Sequence, residues 1–222
     1  MPVPAPELIA EDLACRRGAR LVFAAVSFRL PASGALVLTG ANGSGKSSLL
    51  RLVGGLLAPA AGRLLWGGAP VAADIAGHHS RLHYVGHQDA VKPVMTPREI
   101  LSFWATQRGI NPRAAAPALR DALAAFGLEA VADWPCRWLS AGLRRRLALA
   151  RLLVVPATLW LLDEPTSALD DDSQARLEQA IAAHRAAGGR VLLATHAAVA
   201  LDDAAFLALD RFAPLFDPDL GA

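Results

Sequence analysis

Lys46 is one of only two lysines in a chain with 22 Lys and Arg in all, and it stands within GANGSGKS, residues 40–47. The pattern G-x-x-x-x-G-K-S suits a loop that wraps phosphate. The run GALVLT before it is short and apolar enough for a buried strand, and KSSLLRLVGGLL repeats its leucines at helical spacing. Between strand and helix, Gly40, Gly43 and Gly45 let successive backbone N–H groups turn toward one concave anion site at the positive end of the helix dipole. The candidate nucleotide-binding segment therefore runs Gly40, Ala41, Asn42, Gly43, Ser44, Gly45, Lys46, Ser47 and Ser48. Lysine is a compact charge on a flexible stem that reaches terminal phosphate oxygens, where the broad arginine fork fits poorly. Ser47 offers a hydroxyl for Mg²⁺. A nucleoside triphosphate with Mg²⁺ is the expected ligand.

Two further groups of residues bear on that ligand. ATLWLLDEP puts Asp163 and Glu164 together after an apolar run. Adjacent acids are not tolerated inside a buried strand, so they belong at its carboxyl end, where α/β ligand sites lie. There Asp163 can hold Mg²⁺ and Glu164 can orient the water that attacks the γ-phosphate. LSAGLRRRLALARLL opens with small residues and becomes a periodic helix. Ser140 can cap that helix and Gly142 permits close backbone approach, which makes a second anion site. One nucleotide does not need two such sites. If two copies met head to tail, the second site could close over the partner's γ-phosphate.

The elements that must position these groups can be read from the pattern. β-like runs come early: LIAEDLAC, RLVFAAVSFRL, GALVLTG, GRLLWGG and LHYVGH. A helix-rich, proline-punctuated stretch follows, and then ATLWLLDE, a helix from about residue 173 to 187, RVLLATH, a short helix and AAFLALD. Alternating strands and helices imply a parallel sheet covered on both faces. The expected organisation is a single domain over residues 1–222, with a core at about 1–95 and 156–222 and a helical insert at about 96–155.

Composition excludes several classes. Hydrophobic residues make up 54%, but the longest apolar candidate, LLVVPATLWLL, has eleven residues and contains Pro156, too short for a span. MPVPAPE has neither a basic n-region nor an apolar h-region. Cys15 and Cys136 are too few for a disulfide framework, so the cytoplasm is the default. A net charge of +2 argues neither for nor against nucleic acid. The high apolar fraction without a span suggests a protein that docks on something apolar.

Taken in order, GANGSGKS, Gln88 in GHQ, LSAG, LLDEP, SALD and His196 in ATH resemble the motif set of the ATP-binding cassette family, over nearly the whole chain. The resemblance implies an α/β P-loop NTPase fold: a mixed-sheet core, an antiparallel β lobe and a helical subdomain. It implies that Lys46 and Ser47 hold phosphate and Mg²⁺, and that Gln88 senses Mg²⁺ and a transmembrane partner. Asp163 becomes the magnesium aspartate, Glu164 the catalytic glutamate and His196 the switch histidine. Asp170 links the two sites, while Ser140 and Gly142 contact the other subunit's nucleotide. Two positions depart from the family: Arg17 stands where an aromatic ring usually lies under adenine, and Leu143 replaces the signature glutamine. Arginine can stack on a base.

Within the family the chain is most similar to ATPase subunits of the haem exporters of bacterial cytochrome c maturation, through HYVGHQDAVKP, ATLWLLDEP, RLALARLL and its short length. That likeness implies a peripheral protein on the cytoplasmic face of the inner membrane. It would hydrolyse ATP for integral membrane subunits as a head-to-tail dimer around ATP and Mg²⁺, with no nucleic acid bound and no direct haem ligation. Its ATP cycle would serve haem export or release. An exporter of lipid, lipoprotein or another small molecule is the alternative, ahead of a soluble cassette ATPase acting on nucleic acid or ribosomes.

Three other clusters invite a role. HHSRLHYVGH holds four of the six histidines, His78, His79, His83 and His87. A strand through LHYV would scatter them over two faces, so they are expected to be solvated or near the nucleotide rather than metal ligands. Arg144–Arg146 is expected to be a partly solvated helix start facing phosphate. WPCRW, with Trp134 and Trp138, suits either an apolar docking surface or core packing.

Overall fold

Residues 5–196 and 201–213 are described by a computed structural model. Strands β1 (Leu8–Arg17), β2 (Arg20–Leu30), β4 (Ala61–Trp66) and β5 (Ala69–Pro70) form an antiparallel sheet in the order β2-β1-β4-β5. Strands β3 (Ala35–Thr39), β6 (Leu82–Val85), β7 (Leu159–Asp163), β8 (Arg190–Ala194) and β9 (Ala205–Ala208) form a parallel sheet in the order β6-β7-β8-β3-β9. The α/β class expected from the alternating runs is what folds, with parallel and antiparallel strands kept in separate sheets.

The central strands β3, β7 and β8 are largely apolar and buried because both faces are covered. Side chains of β7 alternate between two cores. Leu159 and Leu161 join Leu36, Leu38 and Leu192 with helix α1 (Lys46–Val53) and the antiparallel sheet. Trp160 and Leu162 join Val37, Val191 and Leu193 with the helices of the opposite face. Those helices are α3 (Pro97–Gln107), α4 (Pro112–Ala125) and α5 (Ala141–Val154), which intervene between β6 and β7, and α6 (Asp171–Ala186) after β7.

Each of these helices starts where a side chain can satisfy free N–H groups. Thr96 and Glu99 form a reciprocal capping box for α3, and Asn111 accepts from the Arg113 N–H at the start of α4. Ser140 accepts from Leu143 on α5, and Asp170 from Ser173 on α6. The Asp170 cap explains why α6 begins two residues earlier than its apolar periodicity suggests. A short helix, α2 (Ile75–Ser80), was not evident in the sequence; Asp74 caps it by accepting from Gly77. The short helix expected between RVLLATH and AAFLALD falls partly on residues 197–200, outside the described residues.

Of the histidine cluster, His79 and His87 are exposed, and His78 and His83 correct the expectation of solvated or nucleotide-facing rings. His78 and His83 are buried, with Nε2 of each 2.8 Å from a backbone carbonyl oxygen, of Val53 and Val155 respectively. Among the described residues no group of histidine, cysteine and acid side chains is arranged to hold a metal ion. Burial pushes the His83 pKa down to about 4 from its usual 6.5. Between those values the unfolded chain binds a proton that the folded one does not. The stability contribution is therefore complete above about pH 6.5 and falls by about 1.4 kcal/mol per pH unit below it. We expect the urea midpoint to drop between pH 7 and pH 5, and His83→Asn to reduce that slope, the remainder lying with His184 and His78, which burial also pushes down. An unchanged slope in the variant would assign the acid sensitivity elsewhere.

Candidate functional site

The phosphate-type loop connects β3 to α1. Gly40, Gly43 and Gly45 all have positive φ. At Gly45 (φ 103°) a Cβ would lie 2.7 Å from Val22 Cγ1 and 2.9 Å from Phe23 Cδ1, so a side chain there would push the loop off β2. At Gly40 a Cβ would meet Asp210 Oδ2 and Ser44 Oγ, each at 2.9 Å. Asp210 anchors the loop's first turn, its two carboxylate oxygens each 3.2 Å from the Ala41 N–H. Ser44 Oγ is buried without a hydrogen-bond partner, a polar atom left for a ligand group to satisfy. Lys46 Nζ donates to the carbonyls of Gly40 (2.7 Å) and Ala41 (3.1 Å) and lies 3.0 Å from His196 Nε2.

β7 and β8 deliver the remaining groups. Because β8 lies between β7 and β3, the carboxyl ends of all three open onto one cleft. Asp163, the last residue of β7, is buried and pairs with Ala194 of β8. Ser47 Oγ donates to Asp163 Oδ1 at 3.0 Å. Tyr84 from β6 reaches the other carboxylate oxygen at 3.5 Å, and burial first, then the Asp163 charge, raises its phenol pKa. Glu164 turns out of the strand with φ 48°, a conformation costly for a residue with a Cβ. That turn aims its carboxylate at His196: Oε2 accepts from the His196 N–H at 3.3 Å, and Oε1 lies 3.5 Å from Nε2.

The cleft has a volume of about 440 Å³. Asn42, Gly43, Gly45, Lys46, Ser47 and Ser48 form one wall, Glu164 and His196 another, and Arg17, Arg20, Val22 and His87 the rim. Arg17 thus stands beside the loop. Gln88 is exposed, and the cleft is bordered by its neighbour His87 instead. Sequence reasoning missed Arg20, Val22, Tyr84 and Asp210, whereas His87 borders the cleft, near the nucleotide site as expected. Arg20 lies three residues from Arg17, but nothing local marks Tyr84 or Asp210.

Ser140 and Gly142 lie outside this cleft. Ser140 is exposed, and its hydroxyl accepts from Leu143 N–H at 3.2 Å. Gly142 packs under the SALD segment: a Cβ there would come within 3.0 Å of the Ala168 carbonyl oxygen. Leu143 packs partly buried against the helical core. Of the arginine triplet, Arg144 and Arg146 are half-buried and Arg145 is buried, so the expected partly solvated helix start is corrected at its middle position. Trp134 and Trp138 are exposed around a buried Cys136, so the surface reading of WPCRW holds for both rings.

A fold that sets a glycine-lined phosphate loop beside a strand-end Asp-Glu pair, with a separate capped helix start, defines a cassette-type ATPase. The family model described as ABC transporter matches residues 23–167, and the chain belongs to that family as an ATP-hydrolysing subunit. It is 56% identical over 219 residues to the cytochrome c biogenesis ATP-binding export protein CcmA of Rhodospirillum rubrum, covering 98% of this chain and 91% of that protein. The protein of that name from Paramagnetospirillum magneticum is 54% identical over 204 residues, covering 92% of this chain and 94% of its own. A solved ATP-binding subunit of an ABC transporter shares the fold, with a TM-score of 0.80 at 24% identity over 91% of this chain and 86% of its own. No helix among the described residues is long and apolar enough to cross a membrane.

Proposed function

We propose that this chain drives haem export or release for c-type cytochrome biogenesis, as the ATPase of a membrane exporter on the cytoplasmic face of the inner membrane. The observation that carries the reading is near-full-length identity of more than half to an export protein named for cytochrome c biogenesis, together with a complete phosphate cleft.

In this reading the N–H groups of residues 43–48 and the Lys46 ammonium hold the β- and γ-phosphates. Ser44 Oγ supplies a further polar contact, and Arg17 stacks on the base. Ser47 Oγ and the Asp163 carboxylate, 3.0 Å apart, are hard oxygen donors suited to Mg²⁺. Gln88 would join them from the exposed loop after β6. The bound Mg²⁺ would neutralise charge on the phosphate oxygens. Glu164 orients the attacking water, and His196, in contact with both Glu164 and Lys46, keeps the carboxylate aimed at the γ-phosphate. Ser140 and Gly142, remote from their own cleft, complete the site of a second copy packed head to tail. Asp170 and the SALD turn against Gly142 link the two sites. The helical segment at about 96–155 and the Gln88 loop would face the membrane subunits, with the exposed Trp134 and Trp138 as apolar contacts. Cargo contacts would lie with those subunits.

Copurification in detergent tests the class: integral membrane subunits should accompany the tagged chain, and enrichment of nucleic acid or ribosomes would reject it. The head-to-tail arrangement has its own test. Ser140→Ala should lower turnover several-fold while ATP affinity of the isolated subunit stays within a factor of about two, the cap itself contributing about 1 kcal/mol. Equal losses of turnover and of affinity would mean that Ser140 does not act across a dimer.

A further inference from the structure

Arg145 lies on the second turn of α5 and is buried, yet its charge does not face phosphate. All five N–H donors of its guanidinium are matched to acceptors. Nε donates to the Pro165 carbonyl at 3.2 Å, and one terminal nitrogen donates to the carbonyls of Asp163 (2.9 Å) and Glu164 (2.6 Å). The other donates to the Gly86 carbonyl at 2.9 Å and to Asp89 Oδ1 at 3.1 Å. Three consecutive carbonyls after β7 and both flanks of the His87–Gln88 pair therefore converge on one side chain. The carbonyls at 163–165 lie where β7 ends and the chain turns, that of Glu164 also accepting from the Ser167 N–H at 3.1 Å, and the turn is made at Glu164 with positive φ. A left-handed conformation is costly at a residue with a Cβ, and it persists only where the surroundings over-determine it.

We propose that Arg145 is a positioning residue for hydrolysis: it holds Glu164 in its aimed conformation and ties that conformation to the loop carrying Gln88. The inference rests on the ATPase reading of Glu164. Displacing the 86–89 loop breaks the contacts to Gly86 and Asp89 and frees half the fork that fixes the Glu164 backbone, so the two segments move together. Since Ser140 caps α5, the same helix that would meet the second copy's nucleotide also holds this copy's own Glu164.

The test uses the full chain with its copurified membrane subunits and measures kcat, KM for MgATP, nucleotide affinity and thermal midpoint. Arg145→Gln should lower kcat at least about tenfold with KM and affinity changed less than about threefold, because Arg145 touches no residue of the phosphate loop. Arg145→Lys keeps a charge opposite Asp89 but has three donors instead of five, and should recover only part of kcat. Asp89→Asn, which leaves the carbonyl contacts in place, should lower kcat several-fold and add no further loss in the Arg145→Gln background. Unchanged kcat in Arg145→Gln overturns the proposal, as does a parallel fall in affinity, kcat and midpoint. If Arg145→Gln does not fold, the Lys and Asn variants decide: kcat at the parental level in both is equally contrary. Glu164→Gln measured alongside separates the two ideas, since full turnover there rejects the role of Glu164 itself, whatever Arg145 does.

Discussion

Glu164→Gln is expected to bind MgATP as the parent does and to hydrolyse it about 10²–10⁴-fold more slowly, the usual worth of a positioned base. The substitution is nearly isosteric. The amide can keep an oxygen facing the His196 N–H, now 3.3 Å from Oε2, so the turn after β7 should survive. What is lost is a carboxylate able to polarise water. With hydrolysis slow and binding intact, the head-to-tail dimer should accumulate and elute at twice the subunit mass in ATP but not in ADP. Rapid-quench turnover and size-exclusion chromatography read the two halves of this expectation. Near-normal turnover would remove Glu164 from the chemistry.

Lys46→Ala should instead abolish nucleotide binding. A unit charge about 4 Å from phosphate contributes roughly 4 kcal/mol at an effective dielectric of 20, close to a thousandfold in affinity. The side chain has a second role, because Nζ bridges the Gly40 and Ala41 carbonyls at the start of the loop. Removing it takes a donor from both carbonyls, Ala41 keeping the Ser44 N–H at 3.2 Å, and loosens the curve that presents the N–H groups. Titration calorimetry with MgATP should show no measurable heat at concentrations that saturate the parent. A dissociation constant within threefold of the parent would mean that the loop binds through its backbone alone.

The residues that act through short-range chemistry were legible in the sequence. Gly45 must be glycine because φ is 103° and β2 closes over it, and the G-x-x-x-x-G-K-S spacing encodes that constraint. The Asp163–Glu164 pair was placed at a strand end by burial cost alone, and Asp163 is the last residue of β7. Long-range partners were not legible. Asp210 meets the Ala41 N–H from 169 residues away, and no local pattern distinguishes that aspartate from its neighbours. The arginine triplet misled for a related reason. On a helix start, three consecutive charges suggest solvent, but α5 packs against both β6 and α6, so its middle arginine turns inward, where the carbonyls at 163–165 accept from it. His78 and His83 were misjudged likewise, since the backbone carbonyls that satisfy them come from residues 25 and 72 positions away.

Haem staining of membrane and periplasmic fractions on a denaturing gel tests most directly whether this ATPase serves attachment of haem to c-type apocytochromes, because only covalently held haem survives. A strain whose only copy carries Lys46→Ala should lose every c-type band while b-type haem, read spectroscopically in the same membranes, stays at the parental level. Undiminished c-type bands in that strain, with the variant protein present at normal abundance, would contradict the haem assignment and leave a transport ATPase with another cargo.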